Sequence, residues 1–303
     1  MIFKKFYYKL INQNKYVSLK FQENEKKLLK IFKFELEEKI NKINQNLKKE
    51  EISFLHSGHL GDIINALPVI KELSKNHKCN LYIQAEKKLE IDALGYKNRD
   101  DKYYLSKKMC SMLLPLLKEQ NFINNIELYS NQNIDIDLDL FRKIPMNFNL
   151  DSVRWYFLLT GIEFDLREKY LNVEDHPSLK DKIVIMRSTR RRNPFINYKF
   201  INNYKDVFFI GLRDEYDELK KEISNLEFYN SKNFLELAQI IKSSRFFLGN
   251  ASFGFAIAEA LKVPRLLESY PDFPAIYPNG GMFHNFYFQV HFEEFFKKLN
   301  KSN

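Results

Sequence analysis

Residues 52–74 read ISFLHSGHLGDIINALPVIKELS, and they limit the fold more tightly than any other stretch. Ile52-Ser53-Phe54-Leu55 is a short apolar run of the kind that forms a buried strand. Ser57, Gly58, His59, Leu60 and Gly61 then make a tight loop. Asp62 opens a helix whose apolar face is Ile63, Leu67, Ile70 and Leu73. Strand, tight loop and helix in this order belong to α/β proteins, which keep their chemistry at the carboxyl ends of strands. The loop turns backbone N–H groups toward a helix N-terminus, where a phosphate or a sugar hydroxyl can bind. It also brings Asp62, His56 and His59 to one strand end.

The same alternation continues to the end of the chain. After strand 51–56 and helix 62–76 come strand 79–84, a polar segment to about 104, helix 105–119 and strand 124–129. Asp135, Asp137 and Asp139 alternate with Ile134, Ile136, Leu138 and Leu140, which predicts a short half-exposed strand with its acids on a solvated edge. Helix 151–160 ends at Gly161, a suitable C-cap. The polar stretch 172–181, which contains Pro177, marks a domain boundary. A second series follows: strands 183–186, 207–210, 226–229, 246–248 and 263–268, helices 213–224, 233–242 and 252–262, a loop over 269–285 and a helix over 289–300. Two such series predict an α/β architecture of two Rossmann-like domains facing a cleft, over 51–172 and 178–288, with a C-terminal helix over 289–303.

Residues 1–50 stand apart. From Glu23 to Lys49 there is no Gly or Pro, and Leu29, Phe32, Leu36, Ile40, Ile43 and Leu47 fall on one helical face. Thirteen Lys and six Glu give this segment +7 of the chain's +9, so the other residues carry about +2. Three readings stay open for the helix: packing on the protein's own body, pairing with another copy or a partner, or lying on an anionic membrane with Phe3, Phe6, Tyr7 and Tyr8 at its tip. The near-neutral remainder argues against nucleic acid as a partner. Cys79 and Cys110 form no zinc pattern and no disulfide framework, and they read as buried thiols in a reducing compartment. No apolar run reaches a membrane-spanning length, and MIFKKFYYKL has no clear signal-peptide core, so the expected location is cytoplasmic.

Further groups outside this segment could carry chemistry. Residues 245–268, RFFLGNASFGFAIAEALKVPRLLE, read as strand, tight loop, helix and strand. There Gly249 permits a sharp turn, and Asn250 and Ser252 can cap a helix whose N-terminus suits a diphosphate. The loop after strand 183–186 holds Arg187, Arg190, Arg191 and Arg192, which can clamp phosphate oxygens in pairs. Gly211 and Arg213 follow strand 207–210, where they can meet a base or ribose, although Arg213 can equally pair along its own helix. Glu268 ends a strand, where a carboxylate can hold ribose hydroxyls. The loop after it offers Tyr270, Asp272, Tyr277 and Asn279 as a cover. Walker, GxSxG, HExxH and CxxC motifs are absent.

Together, GDIINALPVIKEL (61–73) and FLGNASFGFAIAEALKVP (247–264) resemble the two motifs of the heptosyltransferase-like glycosyltransferases of family 9. Gly249, Asn250, Ser252, Ala258, Ala260, Leu261, Val263 and Pro264 match in order and spacing. The resemblance implies a GT-B fold. It also implies transfer of a sugar from a nucleotide-sugar donor to a glycan or lipid-linked glycan, with inversion and with no metal or other cofactor. On that reading Asp62 is the base, with His59 and His56 as rivals (His56 equally a plain strand-end residue), while Ser57, Gly58 and Gly61 hold the acceptor. Arg187, Arg190, Arg192, Gly211, Arg213, Gly249, Asn250, Ser252 and Glu268 hold the donor. Ala251, Phe253-Gly254 and Ala256 stand where the family has Asp, Gly-Pro and His. Those departures keep open a second class, a binding or assembly protein that has the fold without the activity.

Overall fold

The computed structural model describes residues 2–89, 102–145, 151–271 and 276–301, with side chains from Lys5 onward. Asp272, the Phe3 side chain and most of the polar segment before 104 lie outside that set. Among the described residues, no helix is long and apolar enough to cross a membrane.

The first sheet is fully parallel. It holds β1 (Glu51–His56), β2 (Lys78–Ile83), β3 (Asn125–Leu128) and β4 (Ile136–Asp137) in the order β3-β2-β1-β4. The second is also fully parallel: β5 (Ile183–Met186), β6 (Val207–Ile210), β7 (Glu227–Tyr229), β8 (Phe246–Asn250), β9 (Arg265–Glu268) and β10 (Phe283–Phe286). Its order, β10-β9-β8-β5-β6-β7, is the full doubly wound arrangement read from the other edge. The architecture is therefore α/β with two Rossmann-like domains, as the alternation predicts. In each sheet the strand order reverses beside the first strand, between β1 and β4 and between β5 and β8. Such reversals open a crevice at the strands' carboxyl ends.

Helix α4 (Leu60–Leu73) follows β1, α5 (Lys107–Lys118) precedes β3, and α6 (Ser152–Thr160) ends at Gly161 with φ 69°. In the second domain, α7 (Arg213–Leu219) follows β6, α8 (Phe234–Lys242) precedes β8 and α9 (Phe253–Leu261) follows β8. Ile63, Leu67, Ile70, Tyr156 and Leu159 join Leu237, Ile241, Phe255 and Ile257 in one apolar core. The base of the cleft is thus closed by helices, with only a small void of about 10 Å³ among Asn65, Asp151, Ala256 and Glu259. Burying each such large apolar side chain contributes ~1.5–3 kcal/mol. A separate core under the second sheet is aromatic: Phe246, Phe286 and Tyr198 pack with Phe292 and Phe296 of α10 (Gln289–Lys301).

The N-terminal arm departs from the expected register. It comprises α1 (Ile2–Ile11), α2 (Gln13–Ile31), a π-helical turn over Phe32–Leu36, and α3 (Glu37–Asn46). The wide π turn inserts one residue into the helical repeat. Leu36 and Ile43 are buried, and Ile31, Ile40 and Leu47 pack beside them, but Leu29 and Phe32 are 61 % and 47 % exposed. The predicted seam therefore holds from Leu36 onward and is displaced before it. Two smaller differences also follow from local geometry. Residues 138–143 form a 3₁₀ turn rather than extending β4, and β10 lies inside the stretch expected to be a loop.

Candidate active site

At the β1–β4 crevice a buried polar network surrounds the loop after β1. His59 is the N-cap of α4, so Asp62 sits inside the first turn rather than at its start. Asp62 Oδ2 accepts a 3.0 Å hydrogen bond from the Arg142 guanidinium. The same guanidinium donates to Asp139, which also meets Lys87 Nζ at 3.0 Å. Arg142 lies 4.5 Å over the Tyr104 and Phe141 rings. Gly58 makes this approach possible, because a Cβ there would stand 2.0 Å from an Arg142 nitrogen. Gly61 is different: among the described residues, no atom beyond its own helix backbone and chain neighbours lies within 4 Å of where its Cβ would be, which leaves room above the helix start there.

Ser57 and His56 face inward. The Ser57 hydroxyl donates to Asp139, and its N–H reaches the same carboxylate at 3.1 Å. Ser57 is fully buried, so its expected contact with an acceptor is corrected to a role in holding Asp139. His56 Nδ1 accepts from the Gly58 N–H at 2.9 Å, and Nε2 lies 2.8 Å from the Tyr156 hydroxyl. Burial pushes the His56 imidazole down to about 4, so it is neutral near pH 7 and structural. Burial alone would raise the Asp139 carboxyl, but His56, Arg142 and Lys87 outweigh it and hold it well below the usual range. Asp139 therefore does not lie on a solvated edge. Asp137 accepts from the Asp139 N–H at 2.9 Å, and Asp135 accepts from the Ser53 N–H at 2.9 Å. The His59 ring packs edge-on against Tyr104 with its Nε2 buried, whereas Asp62 keeps 21 % of its side chain exposed.

The β5–β8 crevice is lined by two loops. Asn250 is fully buried and grips the first loop from both sides, accepting from the Ser188 N–H at 2.9 Å and donating to the Ser188 carbonyl at 2.7 Å. A Cβ at Gly249 would stand 2.6 Å from the Met186 carbonyl, so only glycine lets β8 lie this close to β5. Ser252 precedes the α9 N-terminus without making a cap bond, and its buried Oγ has no hydrogen-bond partner among the described residues. Arg190 is exposed on the short turn after β5. Arg192 makes an ion pair with Glu218 and donates to Thr189 Oγ1 at 3.3 Å.

Two donor-side expectations change here. Arg187 and Glu268 are both buried and face each other, at 2.7 and 2.9 Å. Glu268 also accepts from the Asn193 N–H at 2.6 Å and the Tyr198 hydroxyl at 2.7 Å, so no lone pair is left for a ribose. Arg187 and Glu268 therefore brace the loop instead of lining the crevice. Arg213 pairs with Asp217 one turn along its helix, at 3.0 Å, and stacks over Tyr216. Gly211 supplies a φ of 140° at the turn after β6, where glycine is favoured. Arg142 and Tyr156 were not anticipated, and Asp139 was expected on a solvated edge rather than in this network. The one signal in the sequence was Arg142 placed three residues after the last of the alternating aspartates.

No family model matches the chain, and no curated protein matches it. Solved structures similar to it include the glycosyl transferase family 9 protein from Veillonella parvula DSM 2008, at 16 % identity over 84 % of this chain and 90 % of that one, with a TM-score of 0.48. The E. coli heptosyltransferase WaaC with ADP is similar at 10 % identity over 82 % and 99 % of the two chains, TM-score 0.48. The E. coli ADP-heptose lps heptosyltransferase II is similar at 10 % identity over 83 % and 99 %, TM-score 0.48.

Proposed function

We propose that this protein is a glycosyltransferase of the GT-B kind, moving a sugar from a nucleotide-sugar donor to a glycan or lipid-linked glycan acceptor. The observation that carries the reading is positional: the two motifs that resemble family 9 fall at the two crevices where parallel sheets bind ligands. On this reading the acceptor hydroxyl lies above the open helix start at Gly61. Arg142 fixes Asp62 Oδ2, and Oδ1, which has no partner among the described residues, takes the hydroxyl's proton. The hydroxyl oxygen bonds to the anomeric carbon while the bond to the nucleoside diphosphate breaks, with inversion. The α9 N-terminus, the Ser252 hydroxyl and the exposed Arg190 receive the diphosphate charge as it develops, a task this reading assigns to them rather than to a metal.

The arm supports a peripheral place for the protein at the inner face of a membrane. No described side chain from Lys5 to Lys30 is buried, and Phe6, Leu10, Ile11 and Phe21 are 59–74 % exposed. Residues 2–31 carry eight Lys and two Glu. Exposed aromatics among lysines suit an anionic interface. A neutral body with a basic arm fits this role better than nucleic-acid binding.

Incubation with a panel of nucleotide sugars tests the activity. Slow release of a nucleoside diphosphate from one of them, lost in Asp62→Asn with folding intact, is the expected result. Release that Asp62→Asn leaves unchanged would overturn the assignment of the base. No release from any donor would favour a binding protein, the class that Ala251 and Ala256 bring to mind.

A further inference from the structure

Beside the Asp62 crevice lies a cavity of about 510 Å³, walled on one side by α3 of the arm and on the other by the ends of β1 and β4. Lys39, Lys42, Lys87, Tyr104, Arg142 and Lys143 line it. Three carboxylates also face it, Asp135, Asp137 and Asp139, but each is already engaged. Asp135 pairs with Lys49 and the Ser53 N–H, Asp137 accepts from the Asp139 N–H, and Asp139 holds Ser57, Arg142 and Lys87. The cations are not balanced in the same way. Lys39, Lys42 and Lys143 have no ion-pair partner among the described residues. The Arg142 side chain is 94 % buried, and its Nε has no hydrogen-bond partner there.

We propose that this cavity binds an anionic group, a phosphate or a carboxylate, carried by the acceptor. Lys39 and Lys42 are three residues apart on α3 and so share a helix face. With Lys143 across the opening they enclose the space where two or three anionic oxygens would be held. Arg142 links the cavity to the reaction centre, because the guanidinium that lines it also holds Asp62 at 3.0 Å. An acceptor anchored by its anionic group would present a neighbouring hydroxyl to Asp62. The arm then becomes a wall of the acceptor site, a role that explains why its packed half, with Leu36 and Ile43 buried, ends against this cavity. Only the word "acceptor" rests on the transferase reading; the anion site stands on its own charges.

The test uses the full chain and separate titrations with inorganic phosphate and with citrate, followed by calorimetry and by the methyl signals of isotope-labelled isoleucines. Ile43 and Ile134 line the cavity and report on it. Wild type is expected to bind one of the two anions with shifts at these methyls. Lys39→Gln/Lys42→Gln/Lys143→Gln, three changes at exposed side chains, should weaken that binding by about tenfold or more. The anion that binds distinguishes a phosphate from a carboxylate source. Binding equal in wild type and the triple variant, or no binding of either anion, overturns the site. A nucleoside diphosphate titrated in parallel separates the two readings. If it fails to bind while phosphate or citrate binds, the donor reading falls and the anion site remains.

Discussion

Arg142→Met tests the buried network most sharply. The guanidinium serves two carboxylates at once: Asp139, with 3 % of its side chain exposed, and Asp62, with 21 % exposed. Methionine fills much of the same volume, so the cavity cost is small and the loss is mainly electrostatic. Asp139 keeps Lys87 at 3.0 Å and the Ser57 bonds but loses its nearest cation. Removing one partner of a buried pair costs ~3–5 kcal/mol. The more exposed Asp62 pair adds ~0–1 kcal/mol, so about 4 kcal/mol is expected in all. Trp155 is the chain's only tryptophan and stacks on Phe141 at 5.1 Å, which makes its fluorescence a local probe of urea unfolding. Adding Asp139→Asn removes the orphaned charge, so the double variant should be more stable than Arg142→Met alone. A single-variant loss below ~1 kcal/mol, or a double variant destabilised by the sum of the two singles, would refute the reasoning.

Other outcomes follow from the same geometry. Asp151 is buried beside Glu259, and burial followed by that neighbour pushes its carboxyl up from 3.8 to about 6. The folded state then holds a proton that the unfolded state releases, so this group's contribution is present near pH 4 and lost as pH rises through 6, by ~3 kcal/mol. Asp151→Asn should therefore gain on wild type between pH 4 and pH 7 in urea unfolding; an unchanged difference would refute the shift. His56 works with the opposite sign, its stabilisation being lost as pH falls from 6.5 toward 4, which leaves wild type flatter than either group alone. Gly249→Ala puts a Cβ 2.6 Å from the Met186 carbonyl and should cost ~1–3 kcal/mol or more by thermal unfolding, whereas Gly61→Ala should cost well under that. Removing residues 2–31 should abolish co-sedimentation with anionic vesicles while leaving nucleotide binding intact, and undiminished sedimentation would contradict the membrane role.

Much of the scaffold was legible because strand–loop–helix signals are local. Strands 51–56, 183–186 and 207–210 appear in the structure at the bounds their apolar runs predict. Ser252 could be placed at a helix start, and Asp62 within two residues of one, for the same reason. What stayed hidden depends on contacts between distant residues. Arg142 reaches Asp62 across 80 positions and Arg187 reaches Glu268 across 81. A strand-end carboxylate looks the same in sequence whether it faces a ribose or an arginine. The register Asn250↔Glu268 beside Met186↔Gly249 decides that question, and it belongs to the assembled sheet. The arm's π turn was hidden for a different reason: the apolar positions on either side fit a continuous helix, and only packing from Leu36 onward selects the shifted face.

The central claim is that the β5–β8 crevice holds the diphosphate of a nucleotide-sugar donor. Thermal unfolding of the full chain with each of the common nucleoside diphosphates tests it most directly. A ligand bound at micromolar affinity and present at about a hundredfold excess adds ~2.7 kcal/mol, enough to raise Tm by several degrees. The account predicts such a rise with at least one nucleotide, reduced by Ser252→Ala and by Arg190→Ala. No rise with any of them, or a rise that both substitutions leave untouched, would contradict it.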